Sequence, residues 1–318
     1  MQNVQNDIEE RSNLTGSNKF ELLLFRLGQC PGSDRAELYG INVFKIREIV
    51  AMPPITAIAG AVPHMLGVVN LRGEIIPVID LPGAVGCTPA TGLNIILVTE
   101  FARTVQAFAV EAVEDIVRLE WNDVLSAEGN SAGTAVTSIA RIDGNVPDTR
   151  LAQVLDVETI VRQMTPTDKP DVDPATVGPG LLMKPGSVIL AADDSVVARK
   201  LIEQSLEAIG ARYIMTKTGK EAWDRLNALA LEADTEGVSV RDKIALVLSD
   251  LEMPEMDGFT LTRNIKQSSR FSAIPVVIHS SLSGSANEDL VVAAGANAYV
   301  AKFVAEDLAG TIRRVLVP

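Results

Sequence analysis

From Phe20 onward the apolar residues fall in short runs, FELLLFRL, ELYGINV, GVVNLRG, EIIPVIDL, NIILVTEF and TVQAFAVEAVEDIV, several of them alternating with polar positions. A period of two puts alternate side chains on opposite faces of an extended strand, and Gly and Pro punctuate the runs at spacings too short for helical crossovers. Residues 19–162 are therefore predicted to form an all-β domain of barrel type. The polar stretch 1–18 before it shows no periodicity and reads as a disordered arm. Residues 163–186 carry Pro166, Pro170, Pro174, Pro179 and Pro185, with no apolar rhythm before Leu181. Such a segment buries too little surface to offset its ordering entropy and reads as a linker. After Ser187 the rhythm changes to strand and helix in alternation. SVILAAD, ARYIMT, KIALVLSD, IPVVIHS and ANAYVA read as strands. Ser195 caps a helix whose apolar face is Ala198, Leu201, Ile202, Leu206 and Ile209, and further helices are predicted over 219–233, 257–268, 285–294 and 304–316. Five such repeats over 187–318 predict a parallel five-stranded sheet covered on both faces.

Composition narrows the partners. The chain of 318 residues has 41 acidic and 28 basic side chains, a net charge of -13, which argues against nucleic acid and anionic membranes. No apolar stretch approaches the ~20 residues of a membrane span, and the polar N-terminus has no signal-peptide core. The expectation is a cytoplasmic protein with no direct membrane insertion. Cys30 and Cys87 lie far apart in sequence with no His beside them, so both read as packed or idle thiols and not as a zinc site.

The chemistry gathers in the last part of the chain. Asp193 and Asp194 end the first strand of the parallel sheet, Asp250 ends the third, Ser280 the fourth and Lys302 the fifth. The carboxyl ends of parallel strands share one edge, so all five can face a single crevice. Three carboxylates there repel one another unless a hard cation with oxygen ligands, such as Mg²⁺, sits among them. Asp250 can then attack a phosphoryl group, while the metal, the Ser280 hydroxyl and the Lys302 ammonium offset charge on the transferring oxygens.

These residues resemble the receiver domain of two-component response regulators. Besides the acidic pair, the segment DLEMPEMDG around Asp250 matches, as do the intervals from Asp250 to Ser280 and from Ser280 to Lys302. The resemblance implies a flavodoxin-like (βα)5 fold and phosphoryl transfer from a phosphohistidine donor to Asp250. It further implies Mg²⁺ held by Asp194, Asp250 and the backbone carbonyl of Glu252, with Asp193 assisting, and a conformational switch through Ser280 and Tyr299. Two departures stand out. Phe303 occupies the place where receivers commonly carry a proline joined by a cis peptide, so a trans bond or a reshaped loop is expected there. The interval from Asp194 to Asp250 is also longer than usual, with the excess around LEADTEGVSVRDK, read as a lengthened loop or helix end away from the crevice.

Residues 19–162 show no catalytic constellation. Their single histidine, His64, reads as a turn or packing residue, and function here must come from binding. The run Gly67-Val68-Val69-Asn70-Leu71-Arg72-Gly73-Glu74-Ile75-Ile76-Pro77-Val78-Ile79-Asp80-Leu81 resembles the CheW family of chemotaxis coupling proteins, as do IREIVAMPPITAIAGAVPHMLG upstream and NIILV and AVEAVEDIV downstream. This implies two linked five-stranded β-barrels that bind kinase and scaffold in receptor arrays. Arg72 and Asn70 are expected either at an interface or as structural ties between loops. Ile46, Val50 and Met52 are read as a kinase-facing patch or as core.

A CheW-like domain followed by a receiver resembles the CheV class. That implies a scaffold in receptor arrays joining chemoreceptors to a CheA-type histidine kinase and adjusted by phosphorylation of Asp250. It is not an enzyme acting on an external substrate. A phosphate sink competing for the kinase's phosphoryl groups, or a constitutive scaffold with an unphosphorylated receiver, are the alternatives.

Overall fold

The computed structural model describes residues 19–33, 35–101, 104–127, 135–164, 172, 176–281, 291–302 and 304–316. The chain divides into two compact units, 1–167 and 168–318. In the first, eleven strands follow one another as β1 (Lys19–Gln29), β2 (Ala36–Asn42), β3 (Ile46–Ala51), β4 (Met65–Leu71), β5 (Glu74–Asp80), β6 (Ile95–Phe101), β7 (Thr104–Val110), β8 (Ala112–Glu120), β9 (Val124–Ser126), β10 (Val136–Arg141) and β11 (Leu151–Leu155). A short helix α1 (Leu81–Val85) follows β5, and α2 (Val157–Met164) follows β11. The strands form a six-stranded sheet, β8-β1-β2-β11-β10-β9, and a five-stranded sheet, β3-β6-β7-β5-β4. The expected pair of five-stranded sheets thus gains one strand, the three-residue β9.

Alternation along the strands explains why this unit needs two sheets. In β1, Phe20, Leu22 and Leu24 point into a core built wholly from the six-stranded sheet and its connections, together with Leu38, Leu119, Trp121 and Val154. Leu23, Phe25 and Leu27 point the other way, into a core shared by both sheets with Ile79, Leu97, Phe108 and α2 residues Val157 and Ile160. The five-stranded sheet repeats the arrangement, with Ile76, Val78, Ile96, Val98 and Ala107 enclosed on its own inner face. Each sheet therefore wraps a core of its own and lends its other face to the common one, the burial expected of two joined barrels. At the edge of the common core the Lys45 ammonium meets the buried Glu158 carboxylate of α2 at 3.0 Å.

The two cysteines are not idle. Cys30 just beyond β1 and Cys87 just beyond α1 are joined as a disulfide across 57 residues of sequence. The reason lies in the backbone beside them. Gln29 and Thr88 exchange N–H···O bonds of 2.9 Å in both directions, and Gly28 makes room, since a Cβ there would stand 2.1 Å from the Thr88 carbonyl oxygen. The Tyr39 hydroxyl lies 2.8 Å from the Cys30 sulfur and 3.4 Å from that of Cys87. Closing so long a loop removes conformational freedom from the unfolded chain, by roughly 4 kcal/mol in the chain-entropy model. Cys30→Ser is expected to lower the unfolding free energy of this unit by about 2–4 kcal/mol in denaturant titrations. Reducing agent should weaken the wild type by the same amount and leave the variant unchanged.

The second unit contains β12 (Val188–Ala192), α3 (Val196–Ala208), β13 (Tyr213–Thr216), α4 (Gly219–Glu236), α5 (Val240–Lys243), β14 (Ile244–Ser249), α6 (Gly258–Gln267), β15 (Val276–Ser280), β16 (Ala298–Ala301) and α7 (Ala305–Leu316). Its sheet, in the order β13-β12-β14-β15-β16, is parallel throughout. Ser195 caps α3 as expected, accepting from the Ala198 N–H. Most of the helix expected over 285–294, and Phe303 with its peptide bond, lie outside the described residues. The extra length before Asp250 is spent in α4, which runs on to Glu236 and ends at the left-handed Gly237. The one-turn α5 follows, closed by a capping box between Ser239 and Asp242.

Part of the stretch expected to be a linker is packed onto this unit. Val177 and Leu181 are buried in the core formed with Ile202, Leu206 and Ile209 of the α3 region and Leu308, Ala309 and Ile312 of α7. The Leu181 N–H donates to the Ile209 carbonyl at 2.7 Å. Arg313 of α7 donates to the carbonyls of Val177 and Pro179. Here the backbone bends at Val177 and Pro179 and turns left-handed at Gly178, free of helix, while two well-spaced apolar side chains fill the groove. Leu181→Ala in the full chain is expected to destabilise the second unit by about 2–3 kcal/mol, read by chemical denaturation. A segment serving only as a tether would show no change.

Candidate functional site

The parallel sheet brings all five chemistry-bearing residues to one edge. Asp193 follows β12, Asp250 follows β14, Ser280 closes β15 and Lys302 follows β16. Their backbones continue the ladders, since the Asp250 N–H donates to the Ala192 carbonyl and the Lys302 N–H to that of Ser280, each at 2.9 Å. The Lys302 ammonium lies 2.9 Å from Asp193 Oδ2 and 2.8 Å from Asp250 Oδ2. All three side chains are almost wholly buried, at 5%, 0% and 3% exposure. Asp250 Oδ1 accepts from the Leu251 N–H at 2.7 Å, and Asp193 Oδ1 from the Ser195 N–H at 3.0 Å. Burial drives the Asp193 carboxyl well above the ordinary carboxylate range, Lys302 opposes this, and the neighbouring Asp250 charge adds to it.

Oxygen atoms of Asp193, Asp194 and Asp250 lie within 4.8 Å of one another. Three carboxylates converging at that distance, with one ammonium among them, form an oxygen donor set that suits a divalent cation. The loop after Asp250 is folded closely back on the strand end. Gly258 approaches so closely that a Cβ would stand 2.0 Å from the Asp250 carbonyl oxygen, and its N–H donates back to Leu251 at 2.9 Å. Asp257 then caps α6. Glu252 is half-buried in this loop, Ser280 is fully buried, and Tyr299 is half-buried in β16 opposite Ile278.

His279 was not singled out by the sequence. Strand alternation turns it away from Ser280, onto the sheet face that also carries Val277, and it pairs in the ladder with Val300. Its side chain is buried, and among the described residues neither ring nitrogen has a hydrogen-bond partner. Burial, and then the Lys302 charge, pull its pKa down from 6.5 to about 3. A histidine inside an otherwise apolar strand was the available signal. Because its folded pKa is below the unfolded one, the unfolded chain binds the proton first. Stability is therefore full above about pH 6.5 and falls as pH drops toward 3, by about 1.4 kcal/mol per unit. His279→Val is expected to remove that contribution from the pH dependence of urea unfolding between pH 7.5 and 5.

In the first unit the predicted residues scatter. Asn70 Oδ1 accepts from the Gly73 N–H at 2.9 Å and closes the β4–β5 turn, which passes through Arg72 and Gly73, both at positive φ. Arg72 is 83% exposed along its side chain and pairs with Glu48 of β3 at 2.9 Å. His64 sits in a turn at φ 65, where its carbonyl accepts from the Asp80 N–H at 2.8 Å. Ile46 is core, and Val50 and Met52 pack partly buried against the core of the five-stranded sheet.

Residues 21–164 match the model of the CheW-like domain, and residues 189–312 that of the response regulator receiver domain. Over nearly its whole length the chain is similar to chemotaxis proteins of Helicobacter pylori. It is 30% identical to CheV2 over 312 residues, 93% of this chain and 94% of that protein. It is 29% identical to CheV3 over 316 residues, 97% of this chain and 98% of that one. The chain belongs to the CheV family. It is a scaffold that couples chemoreceptor signalling to a histidine kinase and receiver phosphorelay. Family membership implies partnership with CheA-type kinases and chemoreceptors, and receiver homology implies transfer of a phosphoryl group to the receiver's own aspartate. Among the described residues no helix is long and apolar enough to cross a membrane.

Proposed function

We propose that Asp250 is the phosphoacceptor and that its phosphorylation tunes how this scaffold couples receptors to the kinase. The observation that carries the reading is the placement of Lys302 between Asp193 and Asp250 at the edge where Asp194 also converges. An Asp250 carboxylate oxygen attacks phosphorus, an O–P bond forms, and the N–P bond of the donor phosphohistidine breaks. The imidazole leaves with the bond's electron pair and takes up a proton. Lys302, already held against the acceptor, offsets charge on the phosphoryl oxygens, and the Ser280 hydroxyl donates to one of them. The carboxylates of Asp193, Asp194 and Asp250, with the backbone carbonyl of Glu252, would hold Mg²⁺, which supplies charge neutralisation when bound.

Ser280 drawn toward the new phosphoryl group vacates space beneath β16, and Tyr299 follows inward. Repacking of β16 and α7 shifts the population of receiver conformations that meet the coupling domain or the kinase. In this reading residues 19–162 form the coupling domain and 187–318 the receiver, working in the cytoplasm within receptor arrays. Arg72 stands at a domain surface, and its exposure supports an interface role beyond its tie to Glu48.

Phosphotransfer from the partner kinase should label the wild type in Mg²⁺ and should fail both in Asp250→Asn and in chelator. Label persisting in either case overturns the site. In a reconstituted array of receptor, kinase and this protein alone, Asp250→Ala should alter receptor control of kinase activity. An unchanged response, with labelling of the wild type intact, would favour the phosphate-sink reading.

A further inference from the structure

The turn that presents Asp193 and Asp194 lies between the end of β12 and the start of α3, and it meets the sheet through the Asp193 N–H, which donates to the Thr216 carbonyl at 3.2 Å. Its geometry must be held closely, because two adjacent carboxylates serve one site. Arg199, in the first turns of α3, reaches back to this segment. One guanidinium nitrogen, Nη1, donates to the Asp193 carbonyl at 3.0 Å and to the Asp194 carbonyl at 2.7 Å. Its own N–H donates to the Ser195 carbonyl at 2.9 Å, and the Ser195 N–H donates to Asp193 Oδ1 at 3.0 Å. Backbone and side chain of the acidic pair are thus stitched to the helix start through Arg199 and Ser195.

This placement runs against the usual preference at a helix start. A cation near a helix N-terminus faces the positive end of the helix dipole, so Arg199 carries an electrostatic cost that something must offset. Its two short bonds to carbonyls do so.

We propose that Arg199 is a positioning residue for the divalent-cation site, fixing the Asp193–Asp194 turn so that both carboxylates are preorganised toward Asp250. The proposal rests on the reading of Asp193, Asp194 and Asp250 as the cation site. Partners that orient metal ligands through hydrogen bonds typically change metal affinity by about 10–100-fold when removed.

The test is titration calorimetry of the full chain with Mg²⁺, alongside thermal unfolding and the rate of Asp250 phosphorylation by a small acyl phosphate. Arg199→Ala is expected to raise the Mg²⁺ Kd at least about tenfold while the fold is kept. Its phosphorylation rate should fall at low Mg²⁺ and return to that of the wild type at saturating Mg²⁺, a split that a general loss of stability would not give. A Kd within about twofold of wild type in the folded variant overturns the proposal and leaves the metal site standing. Absence of Mg²⁺ binding by the wild type overturns the metal reading itself. Should Arg199→Ala not fold, Arg199→Gln decides on the same two criteria.

Discussion

The buried contact of the Lys302 ammonium with both Asp193 and Asp250 is the constraint around which the second unit is arranged. Two carboxylates and one ammonium taken out of water cost far more than a surface pair, and remain only if geometry and further hydrogen bonds compensate. The compensation comes from the sheet. Three neighbouring parallel strands and their successor end at the same level, so main-chain ladders extend through Asp250 and Lys302 and hold the charges within hydrogen-bonding distance. The site nonetheless keeps an excess of negative charge. That imbalance is what makes the same edge receptive to a cation and, with it, to a phosphoryl group.

Much of this was legible in the sequence because the signals are local. A βα rhythm fixes which strand ends share an edge, and single polar residues at the ends of apolar runs stand out. The same logic located the cap at Ser195. His279 escaped because its strand reads simply as apolar, and only the folded sheet shows that it sits on a dry face opposite Ser280. Arg199 escaped for another reason: its contacts are to carbonyls, which every residue possesses, so no residue pattern marks them.

The first unit was readable as β-rich but not in its connections. The meeting of Cys30 with Cys87 depends on a backbone bridge between segments 57 residues apart, and nothing near either cysteine announces it. Asn70 and Arg72 belong to one turn, yet the sequence alone left open which of them serves the turn. Asn70 closes it by accepting from Gly73, while Arg72 projects outward to Glu48. Val177 and Leu181 were hidden by sparseness, since two apolar residues among prolines and glycines make no period, although they suffice to fill a groove beside α7.

Strand β1 has a wider consequence. Apart from its two ends and the half-buried Arg26, every position from Phe20 to Gly28 is buried, with one set of side chains in each of two cores. A strand with one wet face can drift neutrally at every second residue, but β1 has almost no such reserve. It is therefore expected to be the slowest-changing stretch of the coupling half over evolutionary time, and the place where related chains differ by exchanges among apolar residues of similar volume.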